Sequence, residues 1–318
     1  METPVLDPGR HPLGPRGPVA RLAPRARLAP RARLAPRAPL ALVAGGLVEP
    51  RPIRRREVAP NATLVSRLDL TPSIARFVVR PDAGVQAFKP GQYFALGLEV
   101  DGTLLQRPYS TASPAGTTDE VDLLIRRVNT GSFTPHLWKV APGGRVWLGP
   151  PKGLFTLQPG DERTHLFVST GTGLAPFVSM SETLLRSRAG ADGTDGTTRN
   201  GPMTRPRIVV VHGVSYAAEL AYRDRIEAWS APGRLSYVPT LSRPAAPANA
   251  GWIGATGRTE TILDRVCDQL ALDPQDTVAY ICGNPEMIEA ATETLRGRGF
   301  PESAVIREHY WTVAGPAR

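Results

Sequence analysis

Residues 164–177 read THLFVSTGTGLAPF. A strand-like run passes into alternating threonine and glycine, and a helix-forming stretch, PFVSMSETLLRSR, follows. Strand, tight glycine turn and helix, in that order, is the unit from which a parallel sheet covered on both faces is assembled. The rhythm continues downstream. RIVVVHGV, RLSYVPTLS and TVAYICG read as apolar strands, and AAELAYRDRIEAW, TETILDRVCDQL and PEMIEAATETLRGRG as amphipathic helices. The segment 189–206, rich in Gly, Thr and Asp, reads as a surface loop. From about 163 onward the chain is therefore a doubly wound α/β domain.

Upstream of the same stretch the period is shorter. VVRP, YFALGLEV, VDLLIRRV and RVWLGPP are separated by PDAG, KPG, DG, SPAGTTD and APGG, which suggests an antiparallel barrel or sandwich. One helix-like piece, GSFTPHLWKV, interrupts it, with Thr134 expected as N-cap before Pro135. The expected division is a tail over 1–56, a β domain over 57–160 and an α/β domain over 161–318.

The formal net charge of +9 belongs to the tail: residues 1–56 hold 12 Arg against 3 acidic residues, and the rest of the chain is balanced. The folded part thus carries no charge argument for nucleic acid. The tail repeats RLAPRA at 21–26, 27–32 and 33–38. A proline in every repeat and little apolar bulk predict extended, disordered chain. There is no signal-peptide pattern and no apolar run long enough to span a membrane. The two cysteines, Cys267 and Cys282, make neither a disulfide framework nor a metal site, and a reducing cytoplasm is the default location.

Several motifs carry chemistry. In VSTGTGLAPF, Gly171 and Gly173 let backbone approach a ligand, Thr170 and Thr172 offer hydroxyls, and the helix start offers free N–H groups to a pyrophosphate. Glycine-rich turns also serve packing alone, and the turn by itself leaves both readings open. In YICGNPEMIE, Cys282 and Gly283 stand at the carboxyl end of a strand, where α/β sheets bind ligands, and Asn284 suits a cap before Pro285. A small buried thiol is the plainer reading of the cysteine. Arg243 in LSRP and Arg258 in TGR suit bidentate phosphate binding, although surface arginines are more often solvated. His212 reads as a satisfied core histidine. RPYSTAS, 107–113, sets an arginine, an aromatic and hydroxyls beside a strand.

Taken in order, these segments resemble the ferredoxin–NADP(+) reductase family, in particular its bacterial branch, over about 58–313. RPYSTAS is similar to the family's RxYS flavin motif. By that resemblance Arg107 would hold the FAD pyrophosphate, Pro108 would stand in the motif's variable place, Tyr109 would pack on the isoalloxazine, and Ser110 would bond near flavin N5. Leu124, Ile125 and Arg126 match the next flavin-lining strand. Gly131, Ser132, Phe133 and Thr134 match the turn that binds the pyrophosphate through its backbone and the Thr134 hydroxyl. Thr170, Gly171, Thr172 and Gly173 match the NADP pyrophosphate turn. Cys282 and Gly283 match the CGxPxM segment beside the nicotinamide. EHYW resembles the C-terminal signature, with Glu308 as a proton relay, Tyr310 over the second flavin face and Trp311 on the adenine. The family often places an arginine after the VHG strand for the 2′-phosphate. Here Ser215 and Tyr216 stand there, leaving Arg243, Arg258 and the Ser215 hydroxyl.

The resemblance implies a flavoprotein barrel followed by a nucleotide domain. It implies hydride transfer between NADP(H) and bound FAD, single-electron exchange with ferredoxin or flavodoxin, no metal, and a monomer in the cytoplasm. A local basic patch from Arg126, Arg127, Lys139 and Lys152 would meet an acidic partner. The competing readings are the reductase component of an oxygenase, a free-flavin reductase, and a non-catalytic flavin subunit. The C-x4-C-x2-C spacing of a fused iron–sulfur domain is missing from the sequence.

Overall fold

The computed structural model describes residues 59–191 and 208–309. The expectations for the tail, for residues 192–206 and for Tyr310 and Trp311 fall outside the described residues.

Strands β1 (Ala62–Thr71), β2 (Ile74–Pro81), β3 (Tyr93–Val100), β4 (Thr103–Ser110), β5 (Val121–Arg126) and β6 (Arg145–Leu148) form one antiparallel sheet, in the order β4-β3-β6-β1-β2-β5. Its outer strands meet again. Thr111 bridges Leu123, and the Ala112 N–H donates to Asp122 O at 2.8 Å, which curls the sheet into a barrel-like body. The two-residue period sorts the side chains. Ala75, Phe77 and Val79 of β2 and Leu123 and Ile125 of β5 point into the barrel, while Leu124 points out of it. Helix α1 (Thr134–Leu137) closes one end, with Phe133 and Leu137 in the core and Trp138 edge-on to Phe77 at 5.1 Å. Thr134 is not the N-cap: Phe133 holds that position, and Thr134 begins the helix. Its hydroxyl is drawn back into the loop, accepting from Val128 N at 2.8 Å and donating to Val128 O at 3.1 Å.

The remaining strands, β7 (Thr164–Thr170), β8 (Ile208–Val214), β9 (Ser236–Leu241), β10 (Ala255–Thr256), β11 (Thr277–Gly283) and β12 (Val305–His309), form a parallel sheet in the order β10-β9-β8-β7-β11-β12. Helices α2 (Ala175–Ala191) and α3 (Arg223–Trp229) cover one face, against Phe167, Val210 and Tyr280. Helices α4 (Thr259–Gln269) and α5 (Pro285–Gly297) cover the other, against Leu166, Val168, Ala279 and Ile281. Burial from both sides explains why these strands are continuously apolar. The chain winds outward from β7 to β10, then returns to lay β11 on the other side of β7. That reversal is the place where open α/β sheets form a ligand crevice.

One expected helix is broken. AAELAYRDRIEAW forms a short 3-10 turn at Ala217–Glu219, and only Arg223–Trp229 is α-helical. Between them Tyr222 is left-handed, with φ 56°. Polar contacts outcompete helix propensity here. Asn249 accepts from Ala217 N at 2.8 Å, Glu219 accepts from the Ser215 and Tyr216 N–H groups, and Tyr222 turns its hydroxyl to Asp122 of β5.

The halves share one core. Ile74, Ala112 and Leu124 of the barrel join Phe155, Phe177 and Met180, and Ser179 Oγ donates to Ser113 O at 2.6 Å. Phe167 lies at the centre of that core, unexposed and stacked on Phe177 at 4.9 Å. Phe167→Ala is expected to cost about 3–5 kcal/mol, the usual range for emptying a large buried aromatic site. Urea unfolding measures this, and a loss below about 1 kcal/mol would contradict the central position assigned to the ring.

Candidate active site

The ends of β7 and β11 approach until backbone meets backbone. A Cβ on Gly173 would lie 2.5 Å from Cys282 O and 2.8 Å from Gly283 Cα. Gly283 has φ 142°, and a Cβ there would lie 2.3 Å from Thr170 Oγ1. Only residues without a side chain permit this contact. Thr170 Oγ1 accepts from Asn284 N at 2.9 Å, and Asn284 Oδ1 in turn caps α5 by accepting from Glu286 N at 2.8 Å. His212, unexposed between Tyr237 OH at 3.2 Å and Gly171 O at 3.1 Å, steadies the turn from below. Burial pulls its pKa down to about 4, so it is neutral at ordinary pH, as a satisfied core histidine should be. Above the two turns opens a cleft of about 600 Å³, which Thr172, Ser215, Arg243 and Arg258 also line.

Ser110 leaves the barrel at the end of β4 and meets the sheet at the same place. Its Oγ donates to Glu308 Oε2 at 3.4 Å, and the Cys282 thiol lies 3.9 Å from that oxygen. The register that pairs Cys282 with Glu308 across β11 and β12 fixes the second contact. Burial raises the Glu308 pKa from 4.5 to about 7, although the Ser110 and Cys282 hydrogen bonds pull it down. A carboxyl that gains and loses its proton near neutrality thus touches one hydroxyl from the barrel and one thiol from the sheet.

On the barrel side, Arg107 reaches from β4 to Ser132 Oγ at 2.9 Å, with a second N–H on Gln106 O at 2.8 Å. Its guanidinium therefore lies beside the turn containing Gly131 and Phe133, with further donors to offer. Pro108 is exposed on the outermost strand, where its missing N–H is no loss. The half-buried Tyr109 ring leans on Phe133, centroid to centroid 6.2 Å. Burial pushes its hydroxyl well above the usual range, against the pull of Arg107. A guanidinium, a partly open aromatic face and a buried hydroxyl beside a carboxyl fit a planar cofactor with a phosphate tail. The side chains of Leu124 and Ile125 are committed to two cores, which leaves only backbone to a ligand. With its hydroxyl occupied by Val128, Thr134 likewise has only backbone to give.

Arg126 lines the cleft above the two turns and pairs with Glu219 at 3.4 Å. Arg243 donates to Tyr216 OH at 3.0 Å, and Arg258 stands 3.9 Å from Glu260 with its side chain 68% exposed. The Ser215 and Ser242 hydroxyls are 3.5 Å apart. Sequence reasoning missed Glu219 and Asn249. Glu219 follows Tyr216 at capping-box spacing, a signal available in the chain. Asn249 bonds Ser215 O at 2.9 Å and Arg243 O at 2.7 Å from within an alanine- and proline-rich loop that gave no sign of it. Among the described residues, no group of acidic, histidine or cysteine side chains is placed to hold a metal ion.

The geometry has close counterparts. Residues 61–157 match the oxidoreductase FAD-binding domain family, and residues 167–293 the oxidoreductase NAD-binding domain family. Ferredoxin–NADP reductase B of Sorangium cellulosum is 31% identical over 256 residues, covering 79% of this chain and 97% of that one. The reductase component of phenol 2-monooxygenase from a Pseudomonas species is 32% identical, over 79% of this chain and 65% of that one. A ferredoxin NADP+ reductase from Neisseria gonorrhoeae, solved with bound FAD and NADP, superposes with a TM-score of 0.64 at 25% identity. It aligns over 79% of this chain and 98% of its own. With both domain families matched in order and near-full-length relatives of one kind, this chain is a member of the ferredoxin–NADP reductase family of FAD- and NAD(P)-binding oxidoreductases.

Proposed function

We propose that the protein oxidises NADPH and delivers single electrons to ferredoxin or flavodoxin. The observation that carries this reading is the meeting of Ser110, Cys282 and Glu308 at one carboxylate oxygen, between the barrel and the nucleotide turns. Bound FAD supplies the conversion of two-electron to one-electron chemistry. The chain supplies position and charge. Arg107 and the backbone of 131–134 hold a pyrophosphate on the barrel, and Tyr109 offers a stacking face. The 170–173 turn holds a second pyrophosphate at the start of its helix. Arg243 and Arg258, with the Ser215 hydroxyl, take the 2′-phosphate in place of an arginine after β8. Gly283 leaves room for a ring beside the Cys282 thiol. Glu308 keeps a proton next to Ser110. Tyr310 and Trp311 remain assigned to the second flavin face and the adenine. Both cysteines are buried and neither is in a disulfide, which suits a reducing cytoplasm. No described helix is long and apolar enough to cross a membrane.

The basic patch for an acidic partner remains Arg126, Arg127, Lys139 and Lys152, with Arg126 also 3.4 Å from Glu219. A second reading, the reductase component of an oxygenase, follows from the likeness to the phenol 2-monooxygenase component. Turnover with ferredoxin or flavodoxin compared with turnover through a partner oxygenase separates the two.

The purified chain is expected to be yellow, to keep non-covalent FAD through gel filtration and to reduce ferricyanide with NADPH. A colourless protein that takes up no FAD on reconstitution would refute the reading. Arg243→Ala combined with Arg258→Ala is expected to raise KM for NADPH at least about tenfold, as losing charge-assisted phosphate contacts should, with little change for NADH. Equal effects on both coenzymes would place the 2′-phosphate elsewhere.

Glu308 yields a pH signature. Its folded pKa lies above the ordinary carboxyl value, so the protonated form favours folding, and that stabilisation is lost as pH rises from about 4.5 through about 7. Glu308→Gln is therefore expected to match the wild type at pH 4 and to exceed its stability at pH 8 by roughly 1–3 kcal/mol. Thermal melts across that range measure the gap. Parallel curves would show that the carboxyl is not destabilised in the fold.

A further inference from the structure

The segment 215–222 leaves β8 at the cleft and reaches the barrel twice. Glu219 meets Arg126 at 3.4 Å, and Tyr222 donates its hydroxyl to Asp122 Oδ1 at 2.8 Å. The other Asp122 oxygen is held by Arg76 Nη2 at 2.7 Å, and the Arg76 guanidinium lies 4.5 Å from the Tyr222 ring centroid. Tyr222 adopts the left-handed backbone conformation, φ 56°, with only 7% of its surface exposed. A bulky residue stays in that region only where surrounding contacts hold it. Burial and the Asp122 charge keep its phenol protonated, so it remains a donor.

Asp122 passes this contact to the site. Its carbonyl accepts from Ala112 N at 2.8 Å and Thr111 Oγ1 at 3.2 Å, and its N–H donates to Ser113 Oγ at 2.9 Å. Those are the three residues that follow Ser110. The nucleotide half thus grips, through one phenol, the residue to which the strand leading out of Ser110 is fastened.

We propose that Tyr222 is a positioning residue for hydride transfer, its hydrogen bond to Asp122 setting the separation of Ser110 on the barrel from Cys282 on the sheet. The inference rests on the reading that nicotinamide and flavin meet between those two residues. A displacement of about 1 Å between reacting groups can cost about a hundredfold in rate, so the loss of one cross-domain bond has room to register.

The test uses the FAD-loaded full chain and Tyr222→Phe, which keeps the ring and its contact with Arg76. Anaerobic mixing with NADPH gives the limiting rate of flavin reduction. Titration with NADP+, which cannot reduce the flavin, reads ring-on-ring geometry through long-wavelength charge-transfer absorbance. The expected result is a limiting rate about tenfold lower and a clearly weaker charge-transfer band, with the NADP+ dissociation constant within about twofold of wild type. Asp122→Asn, which keeps an acceptor for the phenol, is expected to stay nearer the wild-type rate than Asp122→Ala. A Tyr222→Phe protein with wild-type rate and absorbance, even with a lower melting temperature, overturns the inference. Should Tyr222→Phe not retain FAD, equal rates for the two Asp122 variants overturn it instead, and the expected gap between them upholds it. A wild-type protein whose flavin NADPH does not reduce would overturn the reading of the site and this inference together.

Discussion

Two parallel strands that end side by side, with nothing but backbone between the turns that follow, set the conditions for the rest of the molecule. β7 and β11 are neighbours only because the chain reverses its winding direction between them. Both helix starts therefore open on one crevice. The missing Cβ atoms of Gly173 and Gly283 let the turns close to contact distance, and the Thr170–Asn284 hydrogen bond ties them. A side chain at either glycine would force apart the surfaces on which a pyrophosphate and a ring are proposed to lie. The barrel needs only to present Ser110 at that edge, and the shared core of Ile74, Ala112 and Leu124 with the nucleotide half does so.

That convergence also explains the unusual carboxyl. β12 lies at the outside of the parallel sheet, where alternate residues face solvent, and Arg307 and His309 are exposed. Glu308 points the other way, towards Ser110 of the barrel, and burial raises its pKa against the pull of two weak hydrogen bonds. Its partners are a hydroxyl and a thiol, both weak compensation for a full charge. The proton is accordingly retained near neutral pH. An arginine at this place would have produced a permanently ionised, inert pair. Leaving the acid without one makes it suited to proton handling, at a cost in stability that grows with pH.

Much of this was legible in the chain. The change from short-period strands to strand–helix alternation near residue 163 follows from what each sheet buries, and such patterns are written in consecutive residues. Gly171, Gly173 and Gly283 were legible because backbone conformation and close contact restrict residue type. What failed was decided by side-chain contacts, some local and some distant. The 217–229 helix breaks because Asn249 and Asp122 reach it through the fold while Glu219 accepts from the neighbouring N–H groups of 215 and 216. Thr134 looks like a cap in sequence, yet Val128, a loop neighbour, has both of its hydrogen-bonding capacities. Arg126 was assigned to the flavin strand by its position, and its pairing with Glu219 of the other domain left no mark in the sequence. Strand alternation predicts which side of β5 a residue occupies; it does not say what the other domain brings there.

The same logic bears on coenzyme choice. An arginine at position 215 would sit directly after a strand end and pay little entropy to meet a phosphate. Ser215 cannot, and its own N–H is already bound to Glu219 at 3.0 Å. In the proposed reading the charge comes instead from two other turns. Arg243 is pre-placed by the Tyr216 hydroxyl and by Asn249, which holds its carbonyl, so ordering it for a ligand costs less than ordering a free side chain. Arg258 is open to water and only loosely opposed by Glu260. A dianionic 2′-phosphate would replace hydration and one long ion pair with charge-assisted bonds, a favourable exchange at a half-open site. A bare ribose hydroxyl gains much less from the same two groups. In the proposed reading, preference for the phosphorylated coenzyme would rest on a pair of arginines that the fold holds at unequal cost, with Arg243 the better prepared of the two.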